Sequence, residues 1–218
     1  MKKINNTEPL NIRIVLDRSG SMAGSKKITI EALNSYLEDL KNENNRPGYI
    51  TLSTFDSISI DIPIAKIAVD KISSFPVDVL MPRGGTPLFD AIGIAMHDLE
   101  NISESTDNSK VLVIVTDGLE NASKEYSYED VRKKIKEKEE AGWLIVYLGA
   151  DHDAFSQSES LGFNSVRSMK YSKEDSIDAF KAVARTTSEY RKGTKNRNIY
   201  FTEEERTAAD KLKKKETE

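Results

Sequence analysis

Asp17, Ser19 and Ser21 stand two residues apart at the end of Ile12-Arg13-Ile14-Val15-Leu16, a run that reads as a buried strand. A carboxylate and two hydroxyls gathered by a tight turn form a compact set of hard oxygen donors. Such a set suits Mg²⁺, Mn²⁺ or Ca²⁺ and suits zinc or copper poorly. Two further segments offer the same chemistry. Gly84-Gly85-Thr86-Pro87-Leu88 reads as the entry to a helix, with Thr86 as N-cap and Pro87 at the first helical position. Val113-Ile114-Val115-Thr116-Asp117-Gly118 reads as a strand closing on an aspartate. Ser19, Ser21 and Thr86 supply neutral hydroxyls, while Asp17 and Asp117 act directly or through water. That leaves at least one of about six octahedral positions for an outside ligand. Two carboxylates roughly balance a divalent charge, and holding them one water away leaves the ion electron-poor and suited to an anionic ligand.

These residues need a scaffold that brings three distant segments to one place. Residues 12–16 read as a buried strand, and Ile28, Ala32, Leu33, Tyr36, Leu37 and Leu40 recur at helical spacing, predicting an amphipathic helix over 26–42 that Arg46-Pro47-Gly48 stops. Residues 49–55 and the alternating Ile58, Ile60, Ile62 and Ile64 predict a hairpin around Asp56-Ser57, at a sheet edge where Pro63 is tolerable. Residues 65–85, with Pro76 and Pro82, read as a loop. A helix over 87–101, a strand over 110–117, a charged helix over 128–141 with Val131 and Ile135 inward, and a strand over 143–148 follow. A helix near 152–161, a short strand near 164–167 and a helix near 173–191 complete the order. The alternation predicts a doubly wound, mostly parallel α/β sheet with helices on both faces. In that layout Asp17 and Asp117 end parallel strands and Thr86 heads an intervening crossover, so all three meet at the carboxyl edge where strand order reverses.

Bulk properties narrow the function classes. At 218 residues the chain suits one α/β domain, taken as residues 1–200, followed by a charged helix or flexible tail over 201–218. In that tail Thr202 and Glu205 suggest a capping box. A net charge of −4 argues against a phosphate-backbone partner. The absence of cysteine excludes disulfides and thiol chemistry and fits a reducing, cytoplasmic setting. Apolar runs are strand-sized, predicting no membrane span, and no signal peptide is read at the N-terminus.

Asp17-x-Ser19-x-Ser21, the separate Thr86 and the separate Asp117 resemble the von Willebrand factor type A family and its metal-ion-dependent adhesion site. The wording Asp-Arg-Ser-Gly-Ser-Met, Gly-Gly-Thr-Pro-Leu and Thr-Asp-Gly resembles stand-alone bacterial and phage members. The resemblance spans roughly residues 10–190 and keeps all five metal positions. It implies a six-stranded, Rossmann-like sheet of order 3-2-1-4-5-6 with one antiparallel edge strand. It also implies a Mg²⁺-dependent protein-binding module, with Mn²⁺ or Ca²⁺ as substitutes, in which a partner's Glu or Asp completes the metal shell. Family analogy allows an AAA+ ATPase or a host or phage protein as that partner.

Competing readings are a metal-dependent phosphoester hydrolase and an assembly subunit with a non-functional site. Phosphatases that use a strand-end Asp nucleophile carry an acid–base Asp two residues later, where this chain has Ser19. There is no Gly-rich phosphate loop and no Gly-x-Ser-x-Gly elbow. Binding without catalysis is therefore expected. His97 and His152 have no partner histidine at ligand spacing, and Asp151-His152-Asp153 is open to a role on the rim. Arg18 reads equally as solvent-facing or as reaching a partner's acid, and Trp143 as core.

Overall fold

The computed structural model describes residues 9–42, 48–102, 109–150, 152–193 and 198–211. Six strands form one sheet: β1 (Leu10–Asp17), β2 (Gly48–Phe55), β3 (Ile60–Ala68), β4 (Lys110–Thr116), β5 (Leu144–Gly149) and β6 (Ser168–Lys170). Their spatial order is β3-β2-β1-β4-β5-β6. All neighbours are parallel except β2 and β3, which pair antiparallel. The expected fold class and strand order are both observed.

β4 and β5 read as nearly continuous apolar runs because both faces of a parallel sheet are covered, while β1 carries the buried Arg13, which donates to Asp98 of the 88–101 helix at 3.0 Å. Alternate residues nonetheless separate cleanly between two cores. Ile12, Ile14 and Leu16 of β1 with Val111, Val113 and Val115 of β4 face α1 (Lys26–Asn42) and α5 (Ser176–Arg191). Val15, Leu112 and Ile114 face α2 (Leu88–Asn101) and α3 (Tyr128–Glu140). Trp143 is buried in this second core, with the ammonium groups of Lys110 and Lys138 at 5.0 and 5.5 Å from its ring centre. The core assignment of Trp143 thus holds. Val131 and Ile135 are the inward residues of α3, which starts at a Ser127–Asp130 capping box.

Several boundaries differ from the sequence reading. β3 runs on to Ala68, so the expected loop begins four residues later and holds two short 3₁₀ turns, at Val69–Lys71 and Val77–Val79. The last strand lies at 168–170 because Asn164 caps a 3₁₀ turn over Ser165–Arg167, where a strand was expected. α4 occupies His152–Ser160, and the segment 173–175 forms a 3₁₀ turn ahead of α5. Thr202 and Glu205 do form a capping box, opening α6 (Glu203–Ala209). Arg185 on α5 binds Glu205, and Ser172 donates its amide to Ala209. The Arg46-Pro47 helix stop and residues 212–218 lie outside the described residues.

The two sheet edges are irregular. The β2–β3 register shifts twice, Pro63 interrupts β3, and Lys66 sits at φ 48°, donating its amide to the Thr51 hydroxyl instead of to a regular ladder partner. β6 has three residues, and Arg206 of α6 reaches the Ser168 and Ser165 carbonyls beside it.

Gly93 in α2 illustrates how tightly helix and loop are joined. A Cβ there would meet the Tyr126 ring at 2.4 Å. Alanine normally favours a helix over glycine by about 1 kcal/mol. Overpacking against a ring costs about 1–3 kcal/mol, so Gly93→Ala is expected to lower stability despite its better propensity. A urea midpoint equal to or above that of the native chain would contradict this packing.

Candidate metal centre

β1 ends at Asp17, and the chain turns at once through Arg18-Ser19 into a 3₁₀ turn over Gly20–Ser25 that feeds α1. Asp17 Oδ1 accepts the Ser19 amide at 2.6 Å, and Oδ2 accepts the Thr116 hydroxyl at 2.6 Å. The carboxylate at the end of β1 is thereby aimed by the end of β4. The Ser19 and Ser21 hydroxyls lie 3.1 Å apart, and Ser21 donates to Asp117 Oδ1 at 2.5 Å. Gly118 closes the ring. A methyl group built on it would lie 3.0 Å from Thr86 Oγ1 and 3.7 Å from both Asp17 Oδ2 and Ser21 Oγ.

All five candidate residues therefore face one small region at the carboxyl edge, between β1 and β4. Asp17, Ser19, Thr86 and Asp117 are buried there and Ser21 is exposed, which gives the oxygen cluster an open side. Among the described residues no group of three or more His, Asp or Glu could hold a metal. A cation at this edge would rely on hydroxyls as well as carboxylates. The donors are all oxygen, which fits Mg²⁺, Mn²⁺ or Ca²⁺. One cation already sits on the Asp117 carboxylate: the Lys173 ammonium lies 2.5 Å from Asp117 Oδ2 and 3.2 Å from the Ser21 backbone carbonyl. Burial pushes the Asp17 carboxyl up to about 6. Its hydrogen bonds from Thr116 and Ser19 oppose that rise, and the nearby Asp117 charge adds to it.

Thr86 is not the N-cap expected of it. α2 begins at Leu88, and the residue before it, Pro87, has ψ 66° and makes no side-chain cap. The cap comes from across the fold. Glu120 accepts the Phe89 amide at 2.9 Å, and Ser123 Oγ accepts the Asp90 amide at 3.1 Å. Asp90 in return accepts the amides of Lys124, Glu125 and Tyr126. Thr86 itself is clamped by Asn121, whose side chain accepts the Thr86 amide at 2.8 Å and whose amide donates to the Thr86 carbonyl at 3.1 Å. Its hydroxyl is thus left for the cluster. Sequence reasoning missed Glu120 and Asn121, whose only local signal is a polar stretch after Thr-Asp-Gly, and Asp90, which reads as an ordinary acid in the first turn of α2.

Gly84 and Gly85 have structural reasons of their own. Gly84 has φ 65° and accepts the Gly20 amide, and a Cβ on it would lie 2.5 Å from Ser57 Oγ. A Cβ on Gly85 would lie 2.6 Å from Asn121 Oδ1.

Arg18 neither faces solvent nor reaches outward. Its side chain turns under the β2–β3 hairpin, with Nε 2.5 Å from Asp56 Oδ2 and Nη2 2.6 Å from Asp61 Oδ2, and it also donates to Thr54 and Ser59. Arg83 adds a second guanidinium to Asp56 at 2.9 Å. Burial alone would raise the Asp56 carboxyl, but hydrogen bonds from Arg83, the Ile58 and Ser59 amides and Arg18 outweigh it and hold its pKa below the ordinary value. His97 is exposed on α2, with Nε2 3.1 Å from the Asn101 amide nitrogen. The side chains of Asp151 and His152 lie outside the described residues.

Residues 11–186 match the von Willebrand factor type A domain. The chain belongs to that family. No curated protein matches it by sequence. Among solved structures, this von Willebrand factor type A domain is similar to the pilus adhesin SpaC from Lactobacillus rhamnosus GG, with TM-score 0.64 and 16% identity over 86% of this chain and 31% of that one. It is similar to proximal thread matrix protein 1 from the mussel byssus, with TM-score 0.61 and 15% identity over 85% of this chain and 47% of that one. It also resembles the von Willebrand factor domain of the type V pili tip protein Mfa5 from Porphyromonas gingivalis, with TM-score 0.61 and 13% identity over 83% and 95% of the two chains. The domain thus spans less than half the length of the SpaC and byssus chains. At these identities the likeness shows the fold alone. No helix among the described residues is long and apolar enough to cross a membrane.

Proposed function

We propose that this von Willebrand factor type A domain is a protein-binding module that grips a partner's Glu or Asp through a divalent cation. Asp17, Ser19, Ser21, Thr86 and Asp117 would hold the ion, Mg²⁺ first and Mn²⁺ or Ca²⁺ as substitutes. The observation that carries the reading is the ring of hydroxyl and carboxylate oxygens around Gly118, open to solvent on the Ser21 side. When bound, the cation supplies a positive centre for an incoming carboxylate oxygen. The chain's own residues do the rest. Thr116 and the Ser19 amide fix the Asp17 carboxylate, and Asn121 holds the Thr86 backbone so that its hydroxyl faces the cluster. Exposed Met81 and Leu119, on the loops that carry Thr86 and Asp117, supply apolar contact area at the rim.

A ligand at one hundred times its Kd stabilises the folded state by about 2.7 kcal/mol, which for a chain of this size is roughly 5–10 °C in Tm. The native chain is expected to show such a rise with saturating Mg²⁺ or Mn²⁺, and Thr86→Ala to lose it while keeping its circular dichroism. Affinity capture with and without EDTA, run beside Asp17→Ala, then tests the partner. Proteins captured equally well in excess EDTA would sink the metal-bridged reading.

A further inference from the structure

Lys173 has no role in the oxygen cluster as read from sequence, where it stands at the start of the helix expected near 173–191. The fold gives it one. Ser172 Oγ accepts the Asp175 amide, the Ser176 hydroxyl donates to the Lys173 carbonyl at 2.5 Å, and the Ser172 amide is anchored on Ala209. From this fixed backbone the side chain crosses to the β4 strand end and places its ammonium 2.5 Å from Asp117 Oδ2 and 3.2 Å from the Ser21 carbonyl.

This pair is unlike the surface ion pairs elsewhere on the chain. Lys27–Glu31 and Lys133–Glu137 join exposed partners at 3.7 and 3.9 Å, where solvent screening leaves little net interaction. The Asp117 side chain is fully buried, and that of Lys173 is 34% exposed. Asp117 also shares its neighbourhood with the buried Asp17, so the ammonium offsets repulsion between two carboxylates. A divalent ion that draws on Asp117 meets a like charge already seated on that carboxylate and against the backbone of Ser21.

Resting on the metal-centre reading above, we propose that Lys173 is a built-in counter-cation that competes with the divalent ion for Asp117 and sets how tightly the site loads. Without metal, the lysine neutralises the carboxylate and keeps the two aspartates in place. With metal, the ammonium leaves Asp117 and turns to solvent, a move its partly exposed side chain permits. The metal affinity of the native chain is accordingly lower than the oxygen donors alone would give.

The test is Mn²⁺ titration calorimetry on the full chain and on Lys173→Met, Lys173→Gln and Lys173→Arg. Removing a like charge at contact distance, part-screened by solvent, is expected to tighten Mn²⁺ about tenfold in the Met and Gln variants, with Arg staying near the native value. Amine labelling of the native chain read by mass spectrometry gives a second measurement, in which Mg²⁺ raises modification at Lys173 and leaves the exposed Lys133, on α3 across the sheet, unchanged. Equal or weaker Mn²⁺ binding by the Met and Gln variants overturns the inference, as does Arg tightening as much as Met, or labelling of Lys173 that ignores Mg²⁺. Those outcomes leave the metal centre standing. If neither the native chain nor any variant binds Mn²⁺, the metal-centre reading fails and takes this inference with it.

Discussion

Asp17→Asn is expected to melt at a higher temperature than the native chain in EDTA, and to stop responding to Mg²⁺. The carboxyl group is buried at the end of β1 and its pKa is pushed up to about 6. The folded protein therefore holds this proton more tightly than the unfolded chain, whose aspartate titrates near 4. Stability without metal falls as pH rises through the window from about 4 to about 6, and the loss is complete above it. A shift of that size corresponds to about 2–3 kcal/mol at neutral pH. Asparagine is nearly isosteric and carries no charge. Its carbonyl can still accept the Ser19 amide, while Thr116 can redirect its hydroxyl to the Gly118 carbonyl at 3.2 Å. The variant thus avoids the desolvation cost and flattens the pH dependence between 4 and 6. With Mg²⁺ present the order reverses, because the cation favours the ionised native carboxylate and finds one charge fewer in the variant. Melting curves at pH 5 and 7.5, with EDTA and with Mg²⁺, separate the two effects. A variant less stable than the native chain in EDTA at pH 7.5 would contradict the electrostatic account.

The second large effect is expected at Arg18. Inside the Asp17–Ser21 loop it reads equally as solvent-facing or as reaching a partner's acid, yet its guanidinium is enclosed by Asp56, Asp61, Thr54 and Ser59. Arg18→Met keeps the aliphatic volume and deletes the charge, leaving the fully buried Asp56 carboxylate with Arg83 as its remaining cation. Breaking one side of a buried pair typically costs 3–5 kcal/mol. Arg83 remains and offsets part of this, so a loss of about 2–4 kcal/mol is expected. The double variant Arg18→Met/Asp56→Asn should recover much of it, since no bare charge is then left inside. Denaturant titrations of the two variants give the answer. A single variant as stable as the native chain would return Arg18 to the binding surface.

What was legible in the sequence follows from range. β1, β4 and β5 and the helices packed on them announce themselves through runs and periodicities of a few residues. The strand ends then place Asp17 and Asp117 at one edge without further information. Thr86 reached that edge by the same reasoning, though its role as a cap was misread. Pro87 and the residues after it look like a helix entry, but the oxygens that accept the first helical amides come from Glu120 and Ser123, more than thirty residues away. Arg18 failed for the same reason, because Asp56 looks like any hairpin aspartate until the loop folds beneath it. Lys173 gave no local sign at all. A lysine between a serine cap and two acids reads as solvated charge, and only the fold sets it against Asp117. The shift of β6 by four residues reflects a strand too short to outweigh an asparagine-capped turn.

The two irregular edges of the sheet bear on how the domain can be assembled. An extended segment from another molecule needs a run of free amides and carbonyls in register. β3 breaks that run with Pro63, two register shifts and the left-handed Lys66, and β6 offers three residues already flanked by Arg206. Many copies could therefore be concentrated along a filament or tethered side by side without their sheets fusing into one another. Contacts between neighbouring copies at the described edges are then made by side chains and loop ends, which can be released without unzipping a ladder.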